Sequence, residues 1–168
     1  MTRDSRGRML TEILAFPDNT LEYLHDWVQW LFPLPETSPF NSGAPVIDFA
    51  TACAFRRSAA LRAELRHSFL RMLAFYGFRE DREGVVRIDA LRWYRQAANW
   101  WMSMDHNHLR ITRIIRCLRV LGLEKEAEAF FEALRRASGR YGSGPGARSF
   151  MFWERAATRP LVLAPEEE

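Results

Sequence analysis

His106-Asn107-His108-Leu109-Arg110-Ile111-Thr112-Arg113-Ile114-Ile115-Arg116-Cys117-Leu118-Arg119-Val120-Leu121-Gly122 is the stretch from which the fold is read. At about 100° per residue, Ile111, Ile114, Ile115, Leu118 and Leu121 fall within an arc of about 120°, a core-facing helical stripe. Asn107 lands in the middle of that arc and Arg110 on its border, with His106 just beyond. Arg116 and Arg119 point the other way, towards solvent. Asp105 is placed to cap the helix and favour its positive end, and Gly122 supplies a left-handed stop. An Asn and an Arg aimed at a core must be hydrogen-bonded, or each costs about 1–3 kcal/mol. Two readings follow. The polar residues form a buried network that locks helices together, or they form a ligand cluster at a helix N-terminus.

Outward from this helix, the composition bounds the rest. The chain has 168 residues, 48% of them hydrophobic and 13% aromatic, enough for one domain with a sizeable, ring-rich core. We expect a single helical domain over residues 1–160 and a flexible acidic tail over 161–168, which ends in Glu166-Glu167-Glu168. The net charge of +3 is too small to imply nucleic acid by itself. Lys125 is the sole lysine among 24 basic residues, a bias that a GC-rich genome produces without any functional cause. Cys53 and Cys117 are far apart, and Met1-Thr2-Arg3-Asp4 opens no secretory leader, so a cytoplasmic setting with two core thiols is expected. No uninterrupted apolar run approaches the roughly 18 residues of a membrane span, so no transmembrane segment is expected.

The remaining elements are read from spacing. Residues 4–15 suggest a short helix on Met9, Leu10, Ile13 and Leu14. Pro17-Asp18-Asn19-Thr20 turns into a second helix over Leu21–Leu31, with His25 and Gln29 one turn apart beside its apolar face. Pro33 and Pro35 end it, and a long Pro-rich loop runs to Pro45, where Leu34 and Phe40 need burial under an ordered cover. Ile47–Phe55 follows as a short helix and Ser58–Tyr76 as a long one, with Leu61, Leu65, Phe69, Met72 and Tyr76 facing in and Gly77 as its stop. Val85–Ile88 is extended but has no strand partner. Asp89 opens a helix to Trp100 whose inner side is Leu91, Tyr94 and Ala98. Glu124–Ala137 is amphipathic, Ser138–Ala147 is a flexible connection, and Phe150–Ala157 is a last helix. The fold class is all-α, a single globular domain of about six to eight helices.

No recognisable catalytic motif is present. His106 and His108 are two residues apart, so on a helix they diverge by about 160° and cannot share a metal ion. No HExxH or CxxC spacing offers another metal site. There is no nucleophile elbow, phosphate loop or dinucleotide fingerprint, and hence no expected cofactor and no assignable catalytic residue. Arg110, Arg113, Arg116 and Arg119 advance in threes and fan round the helix instead of forming one basic stripe, which disfavours nucleic acid. An anionic small molecule or a peptide carboxylate, held by Arg110, Arg113, His106 and the helix N-terminal amides, fits better. An enzyme of unknown class acting on an anionic ligand at the same cluster is one alternative. A purely structural network, with a nucleic-acid- or protein-binding surface elsewhere, is the other.

Three ordered motifs carry a resemblance. His25-Asp26-Trp27-Val28-Gln29-Trp30-Leu31-Phe32-Pro33 resembles the HxYIQWLFP stretch of the opioid growth factor receptor domain family, with Trp27 and Val28 where Tyr and Ile are usual. Met72-Leu73-Ala74-Phe75-Tyr76-Gly77 resembles its MLxFYG stretch, and His106–Ile114 its HNxLRITRIL signature, followed by Leu121-Gly122-Leu123. The resemblance implies a receptor-type module that binds a peptide or a protein partner. The animal member is a receptor for an enkephalin-type peptide, associated with the nuclear region and with restraint of cell growth. That member has a long C-terminal region beyond the span of this chain. That difference and the arginine-heavy composition point to a bacterial relative. The residues matching the motifs, His25, Gln29, Trp30, His106, Asn107, Arg110 and Arg113, are the candidate ligand-binding set. The family supplies no catalytic residue to carry over.

Overall fold

The computed structural model describes residues 3–38, 41–142, 144–162 and 164–165. The helices in chain order are α1 (Leu10–Leu14), α2 (Asp18–Tyr23), α3 (Val28–Leu31), α4 (Phe49–Arg57), α5 (Ala59–Tyr76), α6 (Trp93–Ala97), α7 (His106–Val120), α8 (Glu124–Tyr141) and α9 (Gly146–Thr158). A hairpin of β1 (Phe78–Glu80) and β2 (Val86–Ile88) lies between α5 and α6. Among the described residues these nine helices and one small sheet make a predominantly α-helical single domain. The expected stretch, α7, is its axis, packed against both α8 and α9.

Local chemistry explains the long helices. Asp105 Oδ1 accepts from the Asn107 N–H at 2.8 Å, Asp48 Oδ1 from Thr51 at 2.7 Å and Ser58 Oγ from Leu61 at 3.3 Å, each satisfying an otherwise orphaned amide. Gly77 ends α5 at φ +84°, and a Cβ there would lie 3.1 Å from Trp93 Cα, so this turn admits glycine for two reasons. The stripe of α7 meets Phe69, Met72, Phe130, Leu134 and Trp153 in one core. Aromatic rings run through it edge to face, from Phe69 to Phe130 and from Tyr76 to Trp100, with centroids 5.8 and 5.2 Å apart.

Several expectations are corrected. Only Leu10–Leu14 of residues 4–15 is helical, because Asp4 Oδ1 accepts from the Arg6 and Arg8 amides and draws that segment into a turn. The helix expected over Leu21–Leu31 is broken at Leu24–Trp27, where Leu24 is extended and the Trp27 indole folds back to the Leu21 carbonyl at 2.9 Å. His25 and Gln29 are therefore not neighbours on one helix. Val86–Ile88 does have a strand partner: Phe78 pairs opposite Ile88, and Asp81 closes the turn by accepting from Glu83 and Val85. Three-residue strands are too short to show alternation. Leu61, read as core, is exposed.

The helix after Asp89 is shorter than expected and turned over. Trp93, Gln96 and Ala97 are buried, while Leu91 and Tyr94 face out. Helix α8 runs four residues further than expected, and α9 starts at Gly146, so the connection between them shrinks to 142–145. Gly144 packs so tightly on Trp101 that a Cβ would sit 2.5 Å from its carbonyl. Leu34 is buried and bridges Val46, whereas Phe40 lies outside the described residues.

The largest correction concerns Arg116 and Arg119. Neither side chain is spread on a solvent face: Arg116 is 2% exposed and Arg119 half-buried. Arg116 Nη2 donates to Glu36 at 2.6 Å and to the Leu161 carbonyl at 2.8 Å. Arg119 Nη1 donates to the carbonyls of Ala156 and Arg159, at the end of α9, at 3.0 and 2.8 Å. The reason is architectural: α9 covers the side of α7 that a one-seam helical wheel assigns to water.

Candidate functional site

The polar entrance of α7 meets the break between α2 and α3. Asn107, fully buried, donates through Nδ2 to both oxygens of Glu22 at 3.2 Å. Its Oδ1 accepts from Arg110 Nη1 at 3.1 Å and from the Tyr76 hydroxyl at 3.4 Å. Arg110 Nη2 donates to the Leu24 carbonyl at 2.8 Å and lies 3.3 Å from His25 Nδ1. The Arg110 guanidinium also sits 5.0 Å from the centre of the Trp27 ring, a cation–π contact away from water. Its nearest carboxylate oxygen, Oε2 of Glu22, is 4.0 Å away. A planar, forked donor satisfies all of these partners at once, which a lysine would not.

An outer layer covers this inner one. His106 Nε2 lies 3.0 Å from Glu22 Oε1 and its Nδ1 3.7 Å from Asp105. The rings of His25 and His106 meet edge to face with centroids 4.8 Å apart. Both histidines are solvent-exposed. Partial desolvation, with Arg110 and His106 alongside, holds His25 below the usual histidine value. Burial raises the Tyr76 phenol, which stays a neutral donor.

Of the seven residues proposed from sequence, the structure joins four: His25, His106, Asn107 and Arg110. Gln29 and Trp30 stand on α3 and Arg113 lies one turn further along α7; the bonds just described do not run through them. Gln29 is buried, while Trp30 and Arg113 are half-buried. Sequence reasoning missed Glu22, the acid to which Asn107 and His106 both turn. One signal was available: a buried Asn–Arg pair needs an anionic or carbonyl partner, and Glu22 stands three residues before His25.

Glu22 also faces a surface cleft of about 530 Å³ between α2 and α6, lined by Asp18, Asn19, Tyr23, Arg95, Gln96 and Asn99 with it. Asp18 is fixed in that wall by Arg71 at 2.7 Å and by Gln96 at 2.5 Å. Among the described residues no group of three or more His, Cys, Asp or Glu side chains could hold a metal ion. None of the described helices is long and apolar enough to cross a membrane.

The model of the opioid growth factor receptor (OGFr) conserved region matches residues 13–134. The opioid growth factor receptor of Rattus norvegicus is 36% identical over 121 residues, covering 70% of this chain and 21% of the receptor. That of Homo sapiens is 36% identical over 124 residues, covering 70% and 18%. The opioid growth factor receptor-like protein 1 of Rattus norvegicus is 33% identical over 105 residues, covering 62% and 22%. The chain thus spans about a fifth of the length of these relatives. No solved structure matches. The matched span runs from α1 into α8 and holds every residue of the Glu22–Asn107–Arg110 cluster, and the chain belongs to the opioid growth factor receptor conserved-region family.

Proposed function

We propose that this chain is a ligand- or partner-binding module of receptor type, and that its ligand is a peptide seated in the cleft between α2 and α6. The observation that carries this reading is the double place of Glu22: it closes the buried Asn107–Arg110 network and also lines the open cleft. Arg110, with its donors engaged and 5% exposed, braces the site from behind. Glu22 is the member of this cluster that the cleft presents to a ligand, and Tyr23, 81% exposed at the cleft wall, offers it an aromatic face. The relatives in rat and human are named receptors, and that role is what we carry over. A cytoplasmic setting and a bacterial source belong to the same reading.

The test is a titration of the purified chain with a library of short peptides, followed by nuclear magnetic resonance shifts. Binding is expected to perturb Tyr23, Glu22 and Asn99 together. Tyr23→Ala should weaken it at least tenfold while leaving the melting temperature in place. Perturbations confined to another face would overturn the site.

A further inference from the structure

His108 lies one residue beyond the Asn107 network but faces a different neighbour. It is 6% exposed, and its ring joins three elements. Nε2 lies 3.0 Å from the Trp100 carbonyl, in the turn after α6, and Nδ1 lies 2.9 Å from Ser149 Oγ on α9. The His108 backbone carbonyl accepts from Trp153 Nε1, also on α9, at 3.0 Å and from Thr112 Oγ1 at 3.0 Å. The Trp153 ring meets the imidazole edge to face, centroids 5.6 Å apart. A carbonyl can only accept, so Nε2 carries the proton and Nδ1 is left to accept from the Ser149 hydroxyl. The neutral imidazole therefore satisfies both neighbours in full.

We propose that His108 is a protonation latch, which holds α9 on α7 at neutral pH and releases α9 in acid. A second proton on Nδ1 would point a hydrogen at the Ser149 oxygen, forcing that hydroxyl to give up its donor role. It would also place a full charge in a buried site against the Trp153 ring. The charged or titratable groups that face the ring are Asp105 and His106, at the start of α7; from α9 and the turn after α6 it meets Ser149, Trp153 and the Trp100 carbonyl, none of which titrates. Asp105 favours the charged ring and His106 opposes it; burial outweighs both the Trp100 carbonyl and Asp105 and keeps the ring neutral. Helix α9 is the element these bonds hold, and it joins α8 just after Gly142, which stands at φ +80°.

A histidine whose folded value is depressed lends docking free energy that is complete above about pH 6.5 and shrinks as the pH falls below it. Amide hydrogen exchange on the full chain between pH 7.5 and 5, corrected for intrinsic rates, reads this directly. Protection of α9 is expected to fall by about tenfold per pH unit once His108 titrates, while α5 stays protected. His108→Gln should make α9 protection independent of pH. Loss of α5 and α9 in a single step, an unchanged α9, or a wild-type pH response in His108→Gln would each overturn the latch. If His108→Gln does not fold, Ser149→Ala decides the matter. Without the serine donor the release midpoint should move up towards pH 6.5, and an unmoved midpoint rejects the proposal.

Discussion

The two ends of α7 are built from the same parts and differ in what lies outside them. At the entrance, Arg110 holds the Leu24 carbonyl and leans on Asn107, with Glu22 nearby. Near the exit, Arg116 holds the Leu161 carbonyl and pairs with Glu36. Both arginines are almost fully buried, and both draw their acid from the first forty residues. Burial of an arginine therefore does not mark a site. The distinction lies in the acid: Glu22 borders an open cleft, whereas the other end of the helix is roofed by α9. One brace stands behind an open cleft, and the other ties α7 to Glu36 and to the Leu161 carbonyl.

Removing each brace tests how alike they are. Arg110→Ala should cost the most, about 3–5 kcal/mol in denaturant unfolding, because it strands the Leu24 carbonyl, leaves Asn107 Oδ1 only the longer bond from Tyr76 and empties the space over Trp27. Arg116→Ala should cost about 2 kcal/mol, since Glu36 is a third exposed and water can replace part of what is lost. Equal losses would erase the energetic contrast. Glu22→Gln should separate stability from binding. The amide retains a hydrogen bond to Asn107, so melting should fall by only a few degrees, about 1 kcal/mol, while peptide binding drops at least tenfold. The smallest effect concerns His25. Its folded value is depressed, so its contribution is complete above about pH 6.5 and declines as the pH falls. Melting temperatures between pH 7.5 and 5 should show a shallower acid slope in His25→Asn than in the wild type; identical slopes would mean that burial, with Arg110 and His106 alongside, does not hold this ring down.

Much of the frame was legible because it rests on local rules. Asp48, Ser58 and Asp105 cap their helices, Gly77 stops α5, and the stripes of α5, α7 and α8 face the core, apart from Leu61. What escaped depends on neighbours distant in sequence. A helical wheel finds one seam, and α7 has more than one, so Arg116 and Arg119 were placed in water. The same limit inverted the segment around α6, where Leu91 and Tyr94 make a plausible inner face until Trp93 and Gln96 are seen to be the buried ones. In the candidate site, Asn107 and Arg110 were readable from their position on the wheel. Glu22 was not, because its partner on α7 stands 85 residues away and no periodicity within α2 records that contact.

Arginine's role as the fastener of this fold has a practical corollary. Besides Arg110, Arg116 and Arg119, Arg56 reaches the Arg119 carbonyl at 2.7 Å, Arg71 the Phe16 carbonyl at 2.8 Å and Arg136 the Val86 carbonyl at 2.8 Å. Side-chain amine labelling, by contrast, has one target, Lys125, which is exposed on the first turn of α8. A dye or crosslinker attached there leaves every one of these fasteners intact, while a dicarbonyl reagent that condenses with guanidinium groups should take the domain apart as it reacts.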